Sequence, residues 1–247
     1  MSLLRGIILT TKKELNDYFG SPLVYILTGL FNAIIGWLFF NYIVSAKNLT
    51  LLNLSHSGLI PLFGNINFLF LFLVPLLSMK LFSEEKKFQT LDLLFLSHLS
   101  QTQIIFSKFL AGLLISLFIL SWTMVFPMIL GFSGYNDWGL VISSYLGLVL
   151  SIVTYLWVGL FCSSLTENPM ISALTTFCFL LGMMLMVLTV NATHIEILNT
   201  FFQYLSSPFH YESFSRGSIK SYNLVYICSF SFFFYFLTSK SLESRRW

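Results

Sequence analysis

Charged residues are scarce in this chain. Asp, Glu, Lys and Arg make up only 9% of its 247 residues, whereas about 25% is usual in soluble domains. Apolar residues reach 56%, so there are too few polar side chains to cover a globular surface. This composition excludes a soluble domain and indicates an integral membrane protein.

Motifs for catalysis are absent as well. The sequence has no G-x-x-x-x-G-K-[ST] phosphate-binding loop, no H-E-x-x-H zinc motif and no G-x-S-x-G nucleophile turn. We therefore expect no enzymatic activity, no cofactor and no metal site in this chain. Its three cysteines, Cys162, Cys178 and Cys228, lie in apolar runs without C-x-x-C spacing, and we expect them to be buried apolar side chains.

The chain contains six hydrophobic runs. Five of them have at least 21 residues, and about 20 residues of helix cross the hydrocarbon layer of a bilayer. The sequence therefore predicts an all-α polytopic membrane protein, with residues 1–247 in a single transmembrane domain. The predicted transmembrane helices are residues 22–44, 59–79, 104–126, 140–162, 170–190 and 222–238.

Residues 1–19 predict a further helix. Leu4, Ile8, Thr11, Leu15 and Tyr18 recur at spacings of four and three, whereas the charged residues fall elsewhere around the helix. An amphipathic helix of this kind lies in the membrane interface.

Basic residues predict the orientation. Of the 13 Lys and Arg residues, 10 fall on the side of the bilayer that holds both termini and residues 81–103, and 3 on the other. By the positive-inside rule, we expect that side to be cytoplasmic. On the outer side, apolar residues of the segment 191–221 recur at helical spacing and predict one or two short helices at the interface.

Charge is concentrated in residues 81–103, where Glu84, Glu85, Lys86 and Lys87 follow one another between the second and third runs. Because ionised side chains are costly in hydrocarbon, this segment lies in water beside the bilayer. Its pattern predicts a short amphipathic helix, then a capping box at Ser100 and Gln103 that begins the third span. A solvated loop with ordinary flanking charges is the alternative.

Ionisable groups are nearly absent from the predicted spans. The exception is Lys108, near the inner end of the third span, whose side chain we expect to extend to the interface. Carriers driven by ion gradients usually place carboxylates or histidines at mid-membrane depth. The sequence therefore argues against a stand-alone carrier, and any energy should come from another chain.

A family resemblance accompanies these features. The segment LFLVPLLSMKLFSEEKKFQTLDLLFLSHLSQTQIIFSKFLAGLL resembles the core of ABC-2 type permeases, in which an acidic pair, a basic pair and a Thr-hydrophobic-acidic-Leu-Leu segment precede a lysine and the third span. Gln89 stands where that family usually has glycine. Four further blocks are similar to gliding-motility permeases of the GldF type: SPLVYILTGLF, the Asp137-Trp138-Gly139 turn, SSYLGL and GLFCSSLTEN.

The resemblance implies the membrane subunit of an ABC exporter in a bacterial inner membrane. Its implied partners are cytoplasmic ATPase subunits that carry ATP and Mg²⁺, and a second permease copy or paralogue; nucleic acid is not expected. A membrane anchor for an ATPase-driven assembly or motility complex, through which nothing passes, is the alternative.

The same resemblance assigns roles to individual residues. Residues 81–103 would form the region that couples the spans to the ATPase. The implied coupling residues are Glu84, Glu85, Lys86, Lys87, Thr90, Leu91, Asp92, Leu94 and Phe95. Secondary cytoplasmic contacts are expected from Lys12, Lys13 and Glu14 in the first helix and from Thr166, Glu167 and Asn168 after the fourth span.

Overall fold

A computed structural model of the protein describes residues 3–45, 58–91, 99–132, 135–190 and 196–244. Helices and the turns between them account for these ranges, which confirms the predicted all-α fold. The helices of the described part are α1 (Leu3–Gly20), α2 (Pro22–Ser45), α3 (Ile60–Ser78), α4 (Ser83–Lys87), α5 (Gln101–Trp122), α6 (Val125–Phe132), α7 (Trp138–Leu165), α8 (Pro169–Val190), α9 (Glu196–Leu205), α10 (Ser207–Ser215) and α11 (Ser221–Glu243).

In the described ranges, six helical segments are long and apolar enough to cross a membrane, as the sequence predicted. They are formed by α2, by α3 with α4, by α5 with α6, by α7, by α8 and by α11. The third segment is broken after Trp122, where Thr123 and Met124 form a turn before α6 begins. The last helix continues beyond the predicted end at residue 238 to Glu243. Its final turns are polar, with Lys240 in the last turn, so the helix is longer than the apolar run.

Helix α7 is the centre of the bundle. It is the most buried of the six spanning segments and packs against α3, α5, α8, α10 and α11. Its contact with α3 depends on Gly159, because a Cβ atom at this position would lie 2.4 Å from Oγ of Ser78. Only glycine permits so close an approach.

Helix α5 begins with the predicted capping box. The N–H of Ser100 donates to Oε1 of Gln103 at 2.8 Å, and the N–H of Gln103 donates to Oγ of Ser100 at 3.4 Å. Two backbone donors that the helix itself leaves unpaired are thereby satisfied.

Helix α1 packs lengthwise against α5. The hydroxyl of Thr11 donates to the carbonyl of Ser107 at 3.2 Å, and the hydroxyl of Tyr18 donates to the carbonyl of Leu77 in α3 at 2.7 Å. Thr11 and Tyr18 are buried, whereas Ile8 is 64% exposed. The face that meets the bundle is therefore rotated from the predicted stripe, because polar contacts of α1 as well as apolar ones fix its orientation.

Two short helices, α9 and α10, occupy the segment before the last span, in agreement with the sequence prediction. The hydroxyl of Ser207 donates to that of Tyr155 at 3.4 Å, and the hydroxyl of Ser143 donates to the carbonyl of Phe214 at 2.9 Å. Tyr155 and Ser143 are separated by about 18 Å along α7, at 1.5 Å per residue. The hairpin of α9 and α10 therefore lies beside α7 over this length and is part of the bundle.

The cysteines only partly follow the prediction. Cys162 is buried, whereas Cys178 and Cys228 are exposed. The prediction is wrong for these two because they lie on outward faces of α8 and α11, where apolar side chains meet the surroundings of the bundle.

Candidate functional site

An elbow of residues 79–91 connects α3 to the segment that precedes α5. A turn follows Ser78, α4 occupies Ser83–Lys87, and Gln89 then adopts a φ of 56°. This left-handed conformation is one that glycine adopts without a steric cost. Glycine, which the resemblance described above leads us to expect at this position, would adopt the same conformation without strain.

Lys108 lies in a buried ion cluster beneath the elbow. Its Nζ is 2.9 Å from Oε1 of Glu14 and 2.8 Å from Oε1 of Glu85. The Lys108 side chain is 2% exposed, and its ammonium also lies 5.3 Å from the centre of the Phe82 ring. Its ammonium is therefore enclosed by protein, because α1 and α4 cover Lys108 and supply its counter-charges.

This cluster holds two carboxylates against one ammonium. The second oxygen of Glu85, Oε2, is buried and has no hydrogen-bond partner among the described residues. Moving α4 away from α5 would leave charged groups buried and unpaired, which is strongly unfavourable. The cluster therefore ties the elbow to α1 and α5.

A second set of contacts attaches the elbow to the end of α7. The N–H groups of Phe82 and Ser83 both donate to Oγ of Ser163 at 3.0 Å. The buried ammonium of Lys86 donates to the carbonyl of Ser164. A cation is favourable at this end of a helix because its last carbonyls carry partial negative charge. The sequence reasoning did not single out Ser163, because a serine directly after a long apolar run forms no local motif with the elbow.

The structure divides the predicted coupling residues into two groups. Glu85 and Lys86 make contacts within the chain, and Leu91, which we expected to anchor a partner, is only 5% exposed. Lys87 and Thr90 are exposed, and the Glu84 side chain is 41% exposed. Asp92, Leu94 and Phe95 lie outside the described residues.

One exposed apolar residue was missed by the sequence reasoning. Phe88, between α4 and the left-handed turn, is 69% exposed. The sequence reasoning did not select Phe88 because it directly follows the charged residues and belongs to no periodic apolar pattern. Together, Glu84, Lys87, Phe88 and Thr90 form the exposed tip of the elbow.

The secondary contacts predicted from the sequence are also divided. Lys12 and Lys13 are exposed on α1, whereas Glu14 is paired with Lys108.

After α7, Thr166 is half-buried and Glu167 and Asn168 are exposed. Oδ1 of Asn168 accepts the N–H of Met170 at 3.0 Å, at the start of α8.

A groove of about 310 Å³ separates α1 from the elbow. It contains more acidic than basic side chains; its lining residues are Lys13, Glu14, Asp17, Tyr18, Lys80, Glu84, Glu85, Phe88 and Thr90. Burial, and after it the charge of Glu14, raises the pKa of Tyr18 well above its ordinary value. Tyr18 is therefore a neutral hydrogen-bond donor at the floor of this groove.

The elbow, the start of α5 and the end of α11 all lie at one end of the bundle, which we call the charged end. Hydrogen bonds join these elements: Nε2 of Gln101, at the start of α5, donates to the carbonyl of Ser239 in α11 at 2.6 Å. The hydroxyl of Ser164 donates to that of Ser241 at 3.0 Å. Helix α1 contacts α5 at the same end, so both ends of the described chain lie there.

Six spanning segments and a charged end define a multi-pass membrane protein. The chain belongs to the ABC-2 family transporter proteins, whose family model matches residues 40–223. That range contains the elbow and every helix from α3 to α10. The chain is therefore a transmembrane permease subunit of an ABC transporter. No curated protein matches it.

Proposed function

We propose that the chain is the membrane subunit of an exporter in a bacterial inner membrane. A separate ATPase, which binds ATP and Mg²⁺, docks on the charged end, and a second permease copy or paralogue completes the transporter. The closer likeness to GldF-type permeases belongs to this proposal and rests on the sequence blocks that begin at Ser21, Asp137, Ser143 and Gly159.

The observation that carries the proposal is the attachment of the elbow to three helices. Its exposed tip offers Phe88 as an apolar anchor, with Glu84 and Lys87 beside it as charges that can fix the orientation of a partner. Behind the tip, Lys108 joins the elbow to α1 and α5, and Ser163 joins it to α7. A force on the tip would therefore reach the centre of the bundle.

Charge distribution supports a cytoplasmic position for the charged end. By the sequence assignment of the spans, 10 of the 13 basic residues fall on the side of the bilayer that holds the charged end. The positive-inside rule expects this excess on the cytoplasmic side. Both termini would then be cytoplasmic, and the hairpin of α9 and α10 would enter from the outer side.

Replacing Phe88 with aspartate tests the docking surface. We expect Phe88→Asp to reduce copurification of the ATPase and the ATP turnover of the complex, because a buried carboxylate would face an apolar pocket of the partner. Phe132→Asp is the matched control, since Phe132 is 94% exposed at the end of α6. Equal ATPase recovery with both variants would contradict docking at the elbow.

Transport distinguishes the exporter from the anchor. In vesicles that contain the permease and its ATPase, ATP should drive movement of a labelled amphipathic lipid across the bilayer. ATP turnover without such movement for any tested cargo would favour the anchor. Loss of both activities in Phe88→Asp would link transport to the elbow.

A further inference from the structure

A large apolar groove lies away from the elbow, between α8, α9 and α11. It has a volume of about 840 Å³, within the range of small-molecule sites. Phe179 and Met183 form one wall, Phe201 and Tyr204 lie on α9, and Tyr226 and Phe230 form the opposite wall.

The groove lies at the depth of the hydrocarbon. Its two long walls belong to spanning helices, α8 and α11. Along α11 it extends from Tyr226 to Phe234, about 12 Å at 1.5 Å per residue. Phe201 is 60% exposed and Phe233 is 54% exposed at its opening. The groove is therefore open to the acyl chains of the bilayer.

Its outer margin carries a positive charge. Nζ of Lys220, at the start of α11, lies 5.7 Å from the centre of the Tyr222 ring. The Tyr222 ring is in turn 6.1 Å from that of Tyr204, which lines the groove. The nearby Arg216 is paired with Glu212 at 2.5 Å, whereas Lys220 forms no ion pair with any described carboxylate.

We propose that this groove binds one acyl chain of an anionic phospholipid, with the phosphate beside Lys220. The tyrosines supply rings with one apolar and one polar end, which suit the boundary between acyl chain and head group. The proposal goes beyond the permease function and requires no ATPase.

A second groove provides the comparison. It measures about 370 Å³ and lies between α5, α6 and α7. The described lining residues of both grooves are uncharged, and the charge that we assign to the larger groove is that of Lys220 beyond its lining. Ser121 lines this groove and Ser229 lines the larger one. Both serines are exposed, and each donates its hydroxyl to a carbonyl of its own helix. Tryptophan at either position would fill its groove without entering the core.

Native mass spectrometry of the purified full-length chain, without ATPase, tests the proposal with phosphatidylglycerol and phosphatidylcholine as probes. We expect the wild type to retain phosphatidylglycerol preferentially. Lys220→Gln should weaken its retention about fivefold, as expected for one basic residue beside an anionic head group, and leave phosphatidylcholine unchanged. Ser229→Trp should abolish retention of the bound lipid, whereas Ser121→Trp should not.

Three outcomes would overturn the proposal. The first is that the wild type retains phosphatidylglycerol and phosphatidylcholine equally, and that Lys220→Gln does not change the retention of either lipid. The second is equal lipid loss in Ser121→Trp and Ser229→Trp, which indicates general lipid coating. The third is a two-copy species that Ser229→Trp converts to one copy, because a second chain would then fill the groove. None of these results bears on docking of the ATPase at the elbow.

Discussion

Replacing Lys108 with methionine would remove the cation from the cluster beneath the elbow. Methionine keeps the length of the side chain, so the loss is chiefly one of charge. Lys108 is 2% exposed, and the side chains of Glu14 and Glu85 are 13% and 17% exposed. Breaking a buried ion pair by removing one partner costs about 3–5 kcal/mol. We expect Lys108→Met to destabilise the protein by that amount.

Thermal unfolding in detergent measures this loss. For a chain of this size, 1 kcal/mol shifts Tm by about 2–4 °C, so the variant should unfold roughly 6–20 °C below the wild type. Lys87→Met is the matched control, because Lys87 is exposed in the same elbow. Adding Glu14→Gln and Glu85→Gln to Lys108→Met should recover much of the loss, since none of the three cluster positions then carries a charge.

The size of the shift decides between two positions of Lys108. If its side chain instead reached water, Lys108→Met and Lys87→Met would have similar small effects. Equal Tm values for these two variants would therefore refute the buried cluster. Failure of the triple variant to recover stability would instead refute the charge explanation for the loss.

Two further predictions concern packing around α7 and the hairpin. Gly159→Ala should lower the free energy of unfolding by about 1–3 kcal/mol through overpacking, because the new Cβ would lie 2.4 Å from Oγ of Ser78. Gly182→Ala is the control, since a Cβ at that position meets nothing within 4 Å. Equal Tm values for the two variants would contradict the close packing of α3 and α7. His210 contacts the carbonyl of Tyr204 through Nε2 at 2.9 Å and Oδ1 of Asn223 through Nδ1 at 2.8 Å. His210→Phe should increase hydrogen exchange in α9 and α10, because it removes the partner of the buried Asn223 side chain and of the Tyr204 carbonyl. Exchange equal to that of Tyr222→Phe would contradict this role.

Local sequence patterns predicted much of the architecture. The six apolar runs predicted the spans because crossing hydrocarbon requires uninterrupted apolar helices. The capping box at Ser100 was also predicted, since it involves residues only three positions apart. The consecutive charged residues Glu84 to Lys87 likewise predicted a polar segment at the position of the elbow, because they are adjacent in the sequence.

The roles of those charges within the elbow depended on distant residues. Glu14 and Lys108 are 94 positions apart, and Lys86 and Ser164 are 78 apart. No local pattern could predict that Glu85 and Lys86 face inward while Phe88 faces outward, because the division depends on which helices cover the elbow.

The sequence by itself determined that this chain is a helical membrane protein and where its charge is concentrated, because both follow from the free energy of placing each residue in hydrocarbon or water. Only the tertiary structure decided that Lys108 is enclosed by two carboxylates and that α9 and α10 enter the bundle. These features depend on helices that meet after folding, and such contacts combine residues from separate parts of the chain.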